Sequence, residues 1–313
     1  MISLRYHVVS IGAVFLALAL GVLLGSTTLS DSLLSGLSGQ KDRLGEQVAD
    51  LQTQRNALHA QLGDADRFAT GVGPLAVRGL LDQRTVVLVT TPNASQSDAD
   101  GLTGLLKAAG AHVTGQLQLT EAFSDPNRAD QLNSLVTRLI PAGAQLPVAS
   151  DAGTLAGGLI GDLVLLHRTT GAPQATAAER SAALAGLASA GFVKPVQQLQ
   201  PAQLAVVLTG GAQAGPSAGD RATMLARFAT QLQKSGAGTV LAGGAGSATG
   251  SGPVGVVRAD DSAGSILSTV DDVDTADGRV VTVLALRDQS AGRPGAYGTA
   301  GNASAPAPQP AAS

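Results

Sequence analysis

The sequence predicts an α/β protein: an N-terminal transmembrane helix, a coiled-coil helix, then a mostly parallel three-layer α/β domain. Three observations predict it. Residues 8–29 run for 22 positions without a charge, a heptad pattern follows over residues 34–65, and from Arg84 to about Arg287 short β-rich runs alternate with helical stretches. The chain then divides into a membrane segment 1–30, a coiled coil 31–68, an exported α/β domain 69–289 and a Pro/Ala-rich tail 290–313.

At about 1.5 Å per helical residue the uncharged run reaches about 33 Å, enough to cross a hydrocarbon core of about 30 Å. A cleaved signal has a shorter apolar region, about 7–15 residues, that turns polar after an Ala-x-Ala-like site. Ala17-Leu18-Ala19 fits that site but is followed by more apolar sequence, so a retained anchor is the favoured reading over a removed signal. Arg5 precedes the run and the first charge beyond it is Asp31, which keeps the N-terminus in the cytoplasm and exports the remainder. Gly21 and Gly25 form a GxxxG, whose bare helix face lets two membrane helices approach closely, although glycine is also common in such helices and in this chain.

Steps of three and four from Leu34 give Leu34, Leu37, Lys41, Leu44, Val48, Leu51, Arg55, Leu58, Leu62 and Ala65, of which eight are apolar. The residues between are largely polar, so one narrow stripe is left to bury, and a second copy of the same helix is the natural cover. Lys41 and Arg55 in the stripe cost stability but favour a low oligomer number, because their long stems snorkel out of a dimer seam. A helix folded back on its own domain is the other reading. Gly36, Gly39, Gly45 and Gly63 weaken the helix, so the coil is of modest stability.

Within the third region, strands are expected at residues 85–90, 111–119, 162–167, 204–209, 239–242, 254–257 and 279–286. Helices are expected at 97–109, 127–140, 175–190 and 219–235, ended by Gly110, Pro141, Gly191 and Gly236. Alternation of this kind argues for a parallel sheet covered on both faces, one domain by size. From Ser290 the sequence has no periodicity and is rich in Pro and Ala, so the tail is expected to be disordered.

Composition removes several chemistries. The chain has no Cys, which excludes disulfides, thiolate metal sites and redox dithiols, and its net charge of −3 with no basic run argues against nucleic acid. Gly215-Pro216-Ser217-Ala218-Gly219 matches GxSxG, but the strand before it ends too early to aim Ser217, and His7, His59, His112 and His167 all precede it, whereas a nucleophile elbow needs its His later in the chain. Ser217 reads as a loop or helix-capping residue. Gly244-Ala245-Gly246 lacks the third glycine of a phosphate turn, and Pro253 reads as the start of extended structure. Asp271, Asp272, Asp274 and Asp277 fall out of register for a calcium loop, whose twelfth position would be Val283, and read as a turn before the last strand. His112 and His167 are weak metal candidates that could meet if their strands are neighbours. No enzymatic activity and no resident cofactor are expected.

The N-terminal block carries a resemblance. Met1-Ile2-Ser3-Leu4-Arg5, His7, Val9-Ser10, Ala13-Val14-Phe15-Leu16-Ala17-Leu18-Ala19, Gly21-Val22 and Leu24-Gly25-Ser26 resemble the start of the mycobacterial copper transport protein B family, and the order coil, Ala/Gly-rich α/β region and polar tail is similar to its members. The resemblance implies copper efflux across the cell envelope and an outer-membrane pore or channel, with copper as the transported ion. It brings no agreed metal ligand. A membrane barrel needs strands of about 9–11 residues and aromatic girdles; five Phe and two Tyr cannot build them. A pore would therefore come from assembly of the helix and coil, as a homo-oligomer, or from envelope partner proteins. The competing reading is a non-enzymatic single-pass scaffold or binding module holding the α/β domain outside the membrane.

Overall fold

The computed structural model describes residues 4–196 and 198–309, with the side chains of residues 4, 26–39 and 42 left out of the description. The chain separates into two compact units, Met1–Asp64 and Ala65–Ser313.

The first unit is helical throughout its described length and belongs to α1, Leu4–Ala76. Arg5–Gly25 is long and apolar enough to cross a membrane, with a mean hydropathy of 2.6 and none of it buried. Gly21 and Gly25 face open space, with nothing within 4 Å of where a side chain would begin. Further along, Leu44, Val48, Leu51, Leu58 and Leu62 are all exposed, Leu44 at 60% and Leu51 at 63%. Leu34 and Leu37 lie where side chains are not described.

The second unit is an α/β domain built on β1 (Thr85–Thr90), β2 (His112–Gln118), β3 (Leu204–Thr209), β4 (Gly238–Gly243), β5 (Ser268–Val270) and β6 (Ala296–Tyr297). They pair in the order β2-β1-β3-β4-β5-β6, all parallel. Side chains alternate across the sheet: Val87, Val89, Ala205 and Val207 join one apolar cluster, and Val86, Leu88, Leu204, Val206 and Leu208 the other. Covering helices explain why β3 and β4 are buried at every residue. On one face lie α2 (Gln96–Ala108) and α10 (Ala276–Ser290), through Leu102, Leu106, Val283 and Leu286. The opposite face holds α4 (Ala129–Arg138), α5 (Ala152–Val164), α6 (Ala177–Ser189), α7 (Ala218–Ser235) and α8 (Pro253–Ala259), through Leu132, Leu159, Leu187, Phe228 and Val254. Short helices α3 (Glu121–Ser124) and α9 (Asp261–Gly264) complete the connections.

Three expected strands are corrected. Residues 162–167 end helix α5 and continue as single bridges at Leu165 and Leu166; a short buried apolar run has no periodicity to separate helix from strand. Residues 254–257 lie in α8, which Pro253 opens at its first turn, where a missing N–H costs nothing. Residues 279–286 lie in α10, whose N-cap Thr275 accepts a hydrogen bond from the Gly278 N–H. Strands β5 and β6, three and two residues long, were not expected. The tail also departs from disorder in its described part: β6 pairs with β5, and Tyr297 bridges Ala305.

Candidate functional site

Strand order locates the candidate site. From β1 the chain moves to β2 on one side, and the next strand, β3, lies on the other, so the loops leaving the carboxyl ends of β1 and β3 diverge and open a crevice. A cleft of about 790 Å³ lies there, bounded by Asn93 after β1, by Glu121, Asp125 and Arg128 after β2, and by Gln213, Ser217 and Arg221 after β3.

Each wall is fixed locally. Asn93 Oδ1 accepts from Thr91 Oγ1 at 2.6 Å and from the Gly210 N–H at 3.4 Å, tying the two strand-end loops together. A side chain at Gly210 would start 2.2 Å from the Asn93 carbonyl oxygen, so only glycine permits this approach. Asp125 caps the short 3₁₀ turn Pro126–Arg128 by accepting from the Asn127 N–H at 3.0 Å. Arg128 donates to Gln131 Oε1 at 2.8 and 3.0 Å and to the Ala190 carbonyl at 3.0 Å, and its guanidinium sits 4.7 Å over the Phe192 ring. Arg221, in the first turn of α7, donates to the Ala214 carbonyl. Ser217 is the α7 N-cap residue, yet its side chain makes no capping bond. Gln213 buries its side-chain Nε2 with no partner among the described residues.

A second construction lies at the carboxyl end of β5. Arg258 of α8 meets Asp271 at 2.6 Å, both nearly buried at 5% and 2% side-chain exposure. Arg258 also donates to Thr269 Oγ1, Asn302 Oδ1 and the Tyr297 carbonyl at 3.0, 2.9 and 2.7 Å. Asp271 accepts from the N–H groups of Thr299 and Ala300. A buried ion pair is stable only when its remaining donors and acceptors are met, and here the tail meets them. Next to it, Asp272 buries Oδ1 without a partner among the described residues, and its carboxyl is pushed up to about 6 by burial, with the charges of Asp271 and Asp277 adding. Asp162 on α5 is likewise pushed up to about 6 by burial. The acidic run therefore forms an Arg-paired corner and the turn into helix α10, where a turn into a strand was expected.

His112 opens β2 and is exposed; His167 is exposed in the loop after α5, its Nδ1 accepting from the N–H groups of Thr169 and Thr170 at 3.3 Å. The condition for their meeting, neighbouring strands, is not fulfilled, since His167 is on no strand and β1 stands between β2 and β3. Among the described residues no group of three or more His, Asp or Glu side chains is arranged to hold a metal ion. Ser217 lies well past the end of β3 at Thr209. The loop after β4 leads through Gly246 to α8, so Pro253 begins a helix after all, but one of seven residues.

Residues 1–308 match the family described as Copper transport outer membrane protein, MctB. The chain belongs to the MctB family. Similar relatives include the copper transporters MctB of Mycobacterium tuberculosis and Mycobacterium bovis, each 42% identical over 304 residues that cover 96% of this chain and 96% of the relative. The copper transporter MctB of Mycobacterium leprae is 40% identical over 306 residues, covering 95% of this chain and 96% of that protein. The MctB match takes in the apolar helix, the sheet domain and the Arg258–Asp271 corner alike. What the MctB resemblance of the first 26 residues could not locate was the cleft. Asn93 after β1, Glu121 after β2 and Gln213 after β3 lie far apart in sequence, and only the strand order gathers them. The one signal available beforehand was that loops at the carboxyl ends of parallel strands tend to carry binding groups.

Proposed function

We propose that this protein is a membrane-anchored component of copper homeostasis in the cell envelope, acting without catalysis, as a self-associated assembly whose α/β domain stands on the exported side. The observation that carries this reading is the exposed span Arg5–Gly25, the one such span among the described residues, followed in the same helix by the exposed residues Leu44, Val48, Leu51, Leu58 and Leu62, in a chain of the MctB family. A pore formed by the sheet is disfavoured on physical grounds: its strands are parallel, two to seven residues long and covered by helices, whereas a membrane barrel needs closed strands of about 9–11 residues facing lipid. Copper passage on this reading runs through assembled N-terminal helices, with Gly21 and Gly25 as packing points, or through envelope partners that the domain holds in place.

The test is copper accumulation and tolerance in a strain lacking the gene, complemented by variants. Deletion should raise envelope copper and lower tolerance; full tolerance would remove the copper reading and leave an anchored scaffold. His112→Ala with His167→Ala should complement almost fully, because His167 lies on no strand beside β2 and no cluster of three or more His, Asp or Glu forms among the described residues. Loss of tolerance in that double variant at normal protein levels would make the two histidines a working copper site.

A further inference from the structure

We propose that the groove between α6 and the segment 195–200 binds a small organic carboxylate with a short apolar body, its carboxylate seated on Arg180. The inference goes beyond the copper reading and does not depend on it.

Arg180 is a charge with no counterpart. It is 8% exposed, yet its guanidinium forms no hydrogen bond or ion pair with any described residue. The adjacent carboxylate is used elsewhere: Glu179 accepts from the Thr176 N–H and hydroxyl at 2.9 and 2.7 Å and from the Ala142 N–H at 3.0 Å, closing the capping box of α6. Position adds to the cost, because Arg180 stands in the first turn of α6, at the helix end whose dipole repels a cation. A buried charge without a partner is strongly destabilising, and a guanidinium has five N–H donors to satisfy. Those donors are not sealed inside the fold. The unpartnered side-chain atoms closed off from solvent include none of the Arg180 nitrogens, and Arg180 lines a groove of about 480 Å³.

The groove is built from two walls. One is α6, with Leu184 a turn beyond Arg180 and Ala188 a turn further; the other is the segment leading to β3, with Val196 and Leu199. That segment is held along β2 at both ends: the Lys194 N–H donates to the Gln118 carbonyl at 2.8 Å and the Gln200 N–H to the Thr114 carbonyl at 3.2 Å. Gly115 of β2 has φ +148°, and a side chain there would begin 3.0 Å from the Gln198 carbonyl oxygen, so glycine lets the segment lie this close. No Asp or Glu lines the groove, and Arg180 is the one cation among its lining residues. The countercharge therefore comes from outside the domain. A carboxylate carries one negative charge to match one guanidinium and accepts from its fork through two parallel hydrogen bonds, whereas a phosphate would bring up to about two charges. The leucine, alanine and valine side chains then cover an apolar body, the usual composition of a small-molecule pocket.

Calorimetric titration of the full-length protein in a nonionic detergent with hexanoate tests the proposal, with acetate as the head alone, 1-hexanol as the body alone, and a blank into detergent subtracted. Saturable hexanoate binding is expected, about tenfold or more tighter than either control, since both the ion pair and the buried methylenes contribute. Arg180→Met keeps the length of the side chain without its charge and should weaken hexanoate about tenfold or more. Hexanoate should also raise the thermal midpoint of the unaltered protein and not that of Arg180→Met. Ala177→Glu is a milder variant that leaves Arg180 in place. Ala177 is exposed, lines the groove and opens α6 three residues before Arg180, so a carboxylate there suits the helix start and supplies the missing countercharge from within. It should weaken hexanoate about tenfold at an undiminished thermal midpoint. Absence of saturable hexanoate binding, acetate or hexanol binding as tightly as hexanoate, or unchanged hexanoate affinity in either variant would overturn the assignment. Copper tolerance plays no part in these readouts, so failure here leaves the copper reading standing.

Discussion

Asp272 shows how a single side chain carries a pH dependence. The residue is 6% exposed, and its carboxyl is raised from the ordinary 3.8 to about 6, first by burial and then by Asp271 and Asp277. The folded state therefore holds the proton more tightly than the unfolded chain does. This group's contribution to stability is greatest below about pH 4, falls as pH rises through the interval up to about 6, and stays at its reduced value above that. Asp162 acts in the same direction. Replacing Asp272 by Asn removes the ionisation, so Asp272→Asn should be more stable than the unaltered protein at pH 7.5, by about 1–2 kcal/mol once screening by nearby water is allowed for. Near pH 4 the two should be alike. Thermal midpoints at the two pH values check this, and an equal difference at both would show that the carboxyl ionises freely in the fold.

Among the elements, α5 is the one whose identity was least legible. Residues 152–164, AGTLAGGLIGDLV, hold four glycines, which weaken an isolated helix by about 1 kcal/mol each. The fold uses three of them as a stripe. Side chains begun at Gly153, Gly157 and Gly161 would lie 2.5 Å from the Met224 carbonyl oxygen, 2.9 Å from that of Phe228 and 2.5 Å from Ser235 Oγ, so α5 lies close along α7 because nothing projects between them. Propensity argues against this helix and tertiary contact overrules it. Gly157→Leu should force the two helices apart and cost about 1–3 kcal/mol in denaturant unfolding, the usual penalty of overpacking, whereas Leu at Gly104, with open space around it, should cost far less. Similar costs at both positions would mean that α5 and α7 are not tightly packed. The α10 error has a related origin. The run Arg279–Leu286 has the β-branched composition of a strand, but a helix buried along much of its surface, from Ala276 to Gln289, selects for volume as a strand does.

At the scale of the whole molecule, assembly is the open quantity that the stripe on α1 addresses. Leu44, Val48, Leu51, Leu58 and Leu62 are exposed in the single chain, and burying each leucine contributes about 1.5–3 kcal/mol before entropy is counted. The fragment from Ser30 onward should sediment as an oligomer at tens of micromolar, and Leu44→Asp with Leu51→Asp should yield monomers. A monomeric unaltered fragment would assign the stripe to the chain's own domain. The Arg258 corner gives the C-terminal segment its order at the same scale: its sequence has no periodicity, but Arg258 and Asp271 supply buried charges whose remaining bonds are completed by Thr269 together with the tail's Tyr297, Thr299, Ala300 and Asn302.

Sequence alone determined the apolar span, the heptad stripe, the α/β class and strands β1 to β4. Each of these is written in local order, as a run of uncharged residues, a spacing of three and four, or a short β-rich run bounded by turn residues. The MctB resemblance was legible for the same reason, in matching positions clustered within the first 26 residues. Tertiary structure decided the helical state of α5, α8 and α10, the order of β5, β6 and the described tail, and the cleft itself. Those features depend on partners remote along the chain: glycines that matter only when α7 lies against them, an arginine that needs the carboxylate just past β5, and strand-end segments after β1, β2 and β3 that strand order alone brings to one crevice.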